Sequence, residues 1–517
     1  MIKGCEGLLK VFLGSTFRDL KEERKEILEK LESALWGVGI ETTFVPDGRS
    51  SQEIGIEALR SSDVAIFLVS PEYGTFIEEC KIGDCKAADC PMKKKLGRIS
   101  YTHCEYKVAL AENKPRQVYL IGKDWAVLEK LKDWDSIDWR EVRENPVFAG
   151  LANKDIERRF DVAKKVWEFR EEARREFSPP FKDGTEIAKH LAENIVGWYS
   201  QGRIRLKNFC GRRAELKDLL SKMDESVEAC GVGGVGKTTL IHIALLIQKL
   251  KGKKPVTLGT SQSYATGSGY AIFREKCRDI HEVVGNKITL DDISDALAAP
   301  EEVRKKEKGE KIKELSSIVE RDNIVLFIDD FHLADGDVQF FVKSAKGIVI
   351  SSRKGTGIAR NEVPLIGVAK GDRKELVELI AGRLNKKLSD SAKQKIEEIA
   401  EGHPVSTEIL VRNYGKINFQ ELKEYKPRDF SDPEHVDEFL GRVVKDILSD
   451  RAFSLLKNLS SINTEIESNL DGRQLKKLLQ LTTLILFSRN CLKLACWKRR
   501  RNRNQYCSLF FAIFKKQ

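Results

Sequence analysis

The 517-residue sequence has no apolar run long enough to span a bilayer, because the runs near its end are cut by Arg489 and Lys493. No charged leader with an apolar core opens it, so a cytoplasmic location without a membrane partner is expected. Its 11 cysteines are odd in number and scattered, which argues against a disulfide framework. A large charge excess is missing too. Lys+Arg 90 against Asp+Glu 79 leaves a net charge of +11, which permits a nucleic-acid partner without arguing for one. Helicase-type motifs are lacking, which disfavours a nucleic-acid-driven motor, and no superstructure-forming repeats are found.

What is present is a chain too long for one core, so about three or more domains are expected. The stretch that organises it is Gly231-Val232-Gly233-Gly234-Val235-Gly236-Lys237-Thr238-Thr239. It fits G-x-x-x-x-G-K-S/T, in which glycines let the backbone wrap phosphates, the lysine reaches the outer phosphates and a hydroxyl holds Mg²⁺. Val227 to Cys230 before it is strand-like, and Leu240 to Leu250 after it is apolar at helical spacing. The cofactors implied are ATP or ADP with Mg²⁺, bound by Gly231, Gly233, Gly234, Val235, Gly236, Lys237, Thr238 and Thr239.

Downstream, Asn323 to Asp330 is an apolar strand ending in two acids. Carboxylates at the end of a parallel strand lie beside the phosphate loop, so Asp329, with Thr238, is expected to hold Mg²⁺ and Asp330 to polarise water. Gly347 to Arg353 is a second buried strand, ending in Ser351, Ser352 and Arg353. Leu365–Ile380 and Ser389–Glu401 read as helices of a small lid. Glu401-Gly402-His403-Pro404 starts a further helix, with proline placed early.

The N-terminal part is a separate α/β unit. Leu8–Leu13 reads as a first strand, Asp19–Leu35 as a charged helix, Ile40–Phe44 as a second strand and Ser51–Arg60 as a helix. Asp63–Ser70 is apolar on both faces, which suits the interior of a parallel sheet. Tyr101–Glu112 reads as a helix and Lys114–Ile121 as a fourth strand, giving an open, doubly wound sheet. Ligands of such sheets sit beyond the carboxyl ends of the strands. An insertion at 78–98 carries Cys80, Cys85 and Cys90 at equal spacing, with His103-Cys104 following. Cys80, Cys85 and Cys90 with Cys104 or His103 are a candidate Zn²⁺ site, although the spacing is looser than in common zinc knuckles.

Two resemblances follow from these residues. Val11 to Leu20 with Glu22-Glu23-Arg24, and Ser100 to Tyr106 with Ala109, Lys114 and Pro115, resemble the TIR-like domain of unknown function found ahead of NACHT-type ATPases; the likeness runs over about 8–200. It implies a flavodoxin-like fold. Related folds that hydrolyse NAD or transfer deoxyribose use a glutamate at the position of Glu105, with Ser15, Asp19, Asp63 and Tyr73 as its neighbours here and NAD as a possible substrate. Glu105 could equally be a structural acid near a helix start in a domain that only recruits partners, and Ser15-Thr16 a helix cap.

Asn208-Phe209-Cys210-Gly211-Arg212-Arg213-Ala214-Glu215-Leu216 with the phosphate loop, Asp329-Asp330, Arg353 and Gly402-His403-Pro404 resembles the STAND class of signalling NTPases. That resemblance implies that Phe209, Gly211 and Arg212 lie against the adenine, that Arg353 senses the γ-phosphate, and that Pro404 packs near the adenine. It also implies nucleotide-controlled self-association that activates the N-terminal domain, in prokaryotic defence or stress signalling, with an unnamed trigger. The expected domains are 1–124 TIR-like, 125–205 a charged helical connector and closing helix, 206–365 the P-loop NTPase, 366–430 the lid, and 431–517 a partial winged helix with a basic tail. That tail is either a truncated or frame-shifted end, or a surface for acidic partners.

Overall fold

The computed structural model describes residues 9–15, 20–34, 50–70, 73–95, 97–121, 153–176, 183–260, 280–283 and 287–415, with 432, 434–436, 438 and 439. The expected strand at 40–44, Asp19, the first part of the connector and the winged helix with its tail lie outside these residues, apart from the few positions named after 430. Two compact units are distinguished, 1–209 with 246–253, and 210–245 with 254–517. Among the described residues no helix is long and apolar enough to cross a membrane.

In the first unit, β1 (Val11–Ser15), β2 (Val64–Val69) and β3 (Arg116–Leu120) form a parallel sheet in that order. All six residues of β2 are buried, as a central parallel strand requires. The helices are α1 (Lys21–Ala34), α2 (Ser51–Ser61), α3 (Tyr101–Ala111), α4 (Asn153–Arg174) and α5 (Gly184–Ser200). Ser50 caps α2 in a box with Glu53, and Ser100 caps α3 by accepting from the His103 amide. A core of Phe12, Ile56, Phe67, Tyr106, Val118 and Phe169 packs strands β1 to β3 against α2, α3 and α4.

The second unit is built on a six-stranded, wholly parallel sheet. Its strands are β4 (Val227–Cys230), β5 (Lys254–Thr260), β6 (Ile280–Val283), β7 (Ile324–Ile328), β8 (Ile348–Ser352) and β9 (Asn361–Pro364), in the order β6-β5-β7-β8-β4-β9. Its helices are α6 (Arg213–Lys222), α7 (Lys237–Leu250), α8 (Leu290–Ala296), α9 (Glu301–Arg304), α10 (Lys308–Arg321), α11 (Gly336–Ser344), α12 (Arg373–Arg383), α13 (Asp390–Ala400) and α14 (Pro404–Arg412). Because β8 lies between β7 and β4, the ends of all three strands share one edge, and the segments after them are neighbours.

Two local differences from the sequence reading have physical causes. Strand β9 was not foreseen: only Val363 of its four residues is buried, and an edge strand of that kind carries no apolar pattern. Helix α12 begins at Arg373 rather than near Leu365, because 365–368 is irregular, bends at Gly367 and is tied to the residues that follow α13. There the Val368 amide donates to the Gly402 carbonyl at 2.8 Å. A Cβ on Gly402, whose φ is +79°, would stand 2.3 Å from the Val368 oxygen. Gly402→Ala therefore meets both left-handed strain and a backbone clash, and is expected to cost more than about 1 kcal/mol. Thermal unfolding of the chain checks this, with a lowered transition expected; an unchanged transition would contradict the crossing.

Candidate functional site

Glycine at three positions lets the loop between β4 and α7 turn: Gly231, Gly234 and Gly236 have φ of +155°, +77° and +100°. Four of the loop's carbonyls are tied to side chains. The Lys237 ammonium donates to the Gly231 oxygen at 2.6 Å and to the Val232 oxygen at 3.0 Å. His403, the residue that caps α14, donates from Nε2 to the Gly233 oxygen at 2.9 Å. Arg212 donates from Nη2 to the Val235 oxygen at 2.8 Å and to the Ile366 oxygen at 2.5 Å.

The tautomer of His403 follows from its partners. Nδ1 accepts from the Ser406 amide at 3.2 Å and is 2.8 Å from Ser406 Oγ, so the ring proton sits on Nε2, facing the Gly233 carbonyl. Burial pushes its pKa down to about 4, which keeps the ring neutral. Pro404 occupies the first turn of α14, and a Cβ on Gly236 would lie 3.8 Å from its Cγ. Gly211 and Arg212 both have left-handed backbones, and the Arg212 guanidinium is engaged by loop carbonyls and by Glu215 at 3.1 Å. Phe209, in the first unit, packs its ring on Tyr199 at 5.8 Å.

Across the strand edge, Thr238 Oγ1 lies 3.3 and 3.2 Å from the two carboxylate oxygens of Asp329. Ser351 Oγ donates to Asp329 Oδ1 and accepts from the Asp330 amide at 3.1 Å. Asp330 is left-handed, with φ +50°, which turns it away from the strand immediately after Asp329. Burial, followed by the Asp330 charge, raises the pKa of Asp329. A hydroxyl facing the carboxylate of Asp329 in this way suits Mg²⁺. Lys237 is held down to about 8 by burial, while Asp329 and Asp330 oppose the shift.

Arg353 acts electrostatically on Lys237 and on His332, so it belongs to the same cluster. His332, one turn beyond Asp330, was missed at the sequence level. Its pKa is lowered by burial, with Arg353 and Lys237 adding to the effect and Asp330 opposing it. No motif marks it; only the short turn Phe331–Leu333 brings it to the site. Thr239 occupies the first turn of α7, two residues after Lys237.

The first unit holds a second group of side chains. Glu105, in the first turn and a half of α3, is half-buried, and its Oε1 would meet a Cβ placed on Gly55 at 2.7 Å. Burial pushes it up to about 8, opposed by Arg24. Arg24 Nη1 in turn donates to Ser15 Oγ at 2.5 Å and to the Leu13 carbonyl at 3.4 Å. Ser15 thus joins Glu105 through Arg24 beyond the carboxyl end of β1. Asp63 does not join them: it precedes β2, at the opposite end of the sheet, and accepts from the Lys10 amide at 2.8 Å. Tyr73 is turned to another partner, its hydroxyl 2.9 Å from His103 Nδ1.

The Zn²⁺ site is corrected. Among the described residues no group of three or more His, Cys, Asp or Glu side chains is arranged to hold a metal. Cys80 and Cys104 both receive the Gln52 amide, at 3.7 and 3.4 Å, while Cys85 and Cys90 are buried in the apolar core. Burial raises the Cys104 thiol to about 12, so it stays protonated and is a poor ligand. His103 has no free nitrogen, since Nε2 is 3.0 Å from Glu172 and its ring stacks on Phe169 at 4.2 Å.

Two pH effects follow. A nucleotide phosphate needs the charged Lys237, so above pH 8 binding must take up a proton, and ADP affinity is expected to fall by about tenfold per pH unit. Calorimetry at pH 8.5 in buffers of different ionisation enthalpy reads that proton directly. For Glu105 the folded pKa lies above the unfolded one, so its contribution is fully present below about pH 4.5 and is lost as pH rises through 8. Glu105→Gln should therefore raise the thermal transition at pH 9 and leave it nearly unchanged at pH 4.5; an equal shift at both would refute the assignment.

Comparison with known proteins gives the following. A family described as Domain of unknown function (DUF4062) matches residues 10–196. Among curated proteins none matches. Solved structures similar to the chain include the Thermotoga maritima RuvB Holliday junction branch migration motor, at 15% identity over 50% of this chain and 78% of that one, with a TM-score of 0.27. A Walker-type ATPase of Pyrococcus abyssi is 13% identical over 59% and 95%, with a TM-score of 0.29. The Aeropyrum pernix ORC2 protein in its ADP form is 14% identical over 60% and 82%, with a TM-score of 0.25.

Proposed function

We propose that the chain is an ATP-binding and ATP-hydrolysing switch of the STAND type, whose nucleotide state controls self-association and through it an N-terminal TIR-like effector. The observation that carries the nucleotide part is the phosphate loop itself: its carbonyls are engaged by Lys237, His403 and Arg212, and the Thr238 hydroxyl that follows it meets Asp329, the first of two acids after parallel strand β7.

On nucleotide binding Lys237 exchanges two backbone carbonyls for phosphate oxygens. Thr238 and Asp329 would hold Mg²⁺, which supplies positive charge to the phosphate oxygens when bound. Asp330, turned out of the strand, orients the attacking water, and Arg353 contacts the γ-phosphate. ADP offers Arg353 no such group, so the lid that carries His403 and Pro404 experiences different contacts in the two states. This gives the lid a reason to move, and the chain a reason to cluster with ATP and disperse with ADP. The N-terminal domain would then act by recruiting a partner protein or as an enzyme.

For the enzyme, an N-glycosidase acting on NAD or a nucleoside, the favouring observation is the Ser15, Arg24 and Glu105 group beyond β1. A carboxyl held near pH 8 is mostly protonated at neutrality, and a cationic ligand such as a nicotinamide ribosyl group would ionise it. The low pKa needed for attack then arises only in the complex.

Lys237→Ala is expected to lose ATP binding by at least tenfold and to stay dispersed with ATP, while Asp330→Asn binds ATP and assembles but hydrolyses at least a hundredfold more slowly. Nucleotide titration with light scattering distinguishes these outcomes. Equal binding and assembly by Lys237→Ala would refute the switch. Product from NAD that persists in Glu105→Ala would refute the glycosidase.

A further inference from the structure

Strand β4 carries a carboxylate where a parallel sheet ordinarily places an apolar side chain. Glu228 is 1% exposed, between Val227 and Ala229, both fully buried. Among the described residues no lysine or arginine forms an ion pair with it. Instead Glu228 accepts from Ser352 Oγ at 2.5 Å, from the Thr356 amide at 3.0 Å to each oxygen, and from Thr356 Oγ1 at 2.8 Å. Ser352 Oγ also lies 2.8 Å from the Lys354 carbonyl, which folds the turn back on itself. The partners of this buried acid thus all belong to 352–356, the turn after β8.

That turn is otherwise exposed from Lys354 to Gly357, and the one residue in it that joins the nucleotide cluster is Arg353. The Arg353 charge acts unfavourably on the Lys237 ammonium, a repulsion that an anion bound near both would relieve. A mobile turn would let Arg353 swing out to water. The carboxylate prevents this by fixing the residues on either side of it. Burying an acid is costly, and four hydrogen bonds from one turn offset the cost only while that turn is in place.

We infer that Glu228 is a positioning residue for Arg353, holding the guanidinium where the terminal phosphate of a nucleoside triphosphate arrives and so setting preference for triphosphate over diphosphate. The inference rests on the nucleotide reading above and adds to it the residue that sets that preference. Glu228 touches no nucleotide; it acts on the turn.

The test measures Kd for ATPγS and for ADP, with Mg²⁺, on the full chain. Arg353→Ala and Glu228→Val are each expected to weaken ATPγS roughly tenfold and to leave ADP within about twofold, and the double variant to be no weaker than Arg353→Ala. Glu228→Gln restores ATPγS binding, because its oxygen accepts from Thr356 and its amide donates to Ser352 Oγ. Should Glu228→Val fold poorly, Thr356→Val on the exposed turn removes the hydroxyl's bond to Glu228, with the 3.3 Å bond it accepts from the Ile358 amide, and is expected to shift the ratio the same way by about threefold. An unchanged ratio, equal weakening of both nucleotides, or additive losses in the double variant overturns the inference. An Arg353→Ala chain with an unchanged ratio also overturns it, whereas the nucleotide reading falls only if Lys237→Ala binds both nucleotides as the unchanged chain does.

Discussion

The interaction on which the second unit's glycine loop depends is the engagement of its carbonyls by side chains, which fixes the backbone and leaves its amides turned the other way. In this loop the carbonyl of Gly233 is held by His403, that of Val235 by Arg212, and those of Gly231 and Val232 by Lys237. Two of these grips are permanent features of the protein, since histidine and arginine come from α14 and from the turn before α6. The lysine grip is exchangeable, because the same ammonium that satisfies two carbonyls is the group phosphate would claim. The loop is therefore shaped by His403 and Arg212 from outside it and by Lys237 from within it.

The permanent grips explain features that otherwise look wasteful. A fully buried histidine and a nearly buried arginine are expensive, and Arg212 further pays for a left-handed backbone. Both have donors that reach loop carbonyls. The close crossing of 366–368 over 401–402 then makes sense as the frame that fixes the start of α14, and with it His403, against the loop. The start of α14 thus meets the loop through the His403 ring and through Pro404 and Val405 beside Gly236 and Gly234.

Much of this unit was legible in the sequence because its elements are buried parallel strands, which read as apolar runs with chemistry at their ends. Val227–Cys230, Ile324–Ile328 and Ile348–Ser352 were found that way, and Lys237, Thr238 and Asp329 converge as the spacing of such strands demands. Edge strand β9 was not legible because it is polar, and His332 was not because it has no motif. The cysteine spacing suggested a metal, but equal intervals along an irregular insertion do not place four sulfurs at one point. Asp63 is no neighbour of Glu105, because it stands at the amino end of its strand while Ser15 stands at the carboxyl end of β1, and parallel strands put those ends on opposite sides of the sheet.

Glu228 marks the limit of that legibility most clearly. Within an apolar run an acid reads as a break or an error, and nothing at positions 352–356 announces a need for it. Only the sheet order makes the two meaningful together: with β8 hydrogen-bonded to β4, the turn after β8 falls beside the strand that leads into the phosphate loop. The two serines of β8 then divide the work. Ser351 is bonded to Asp329 and to the Asp330 amide, Ser352 to Glu228, so one strand end couples the acid pair on one side to the arginine turn on the other. A strand placed between two others lies within side-chain reach of both, so adjacent residues at its end, on opposite faces of the sheet, can each bond a different neighbour.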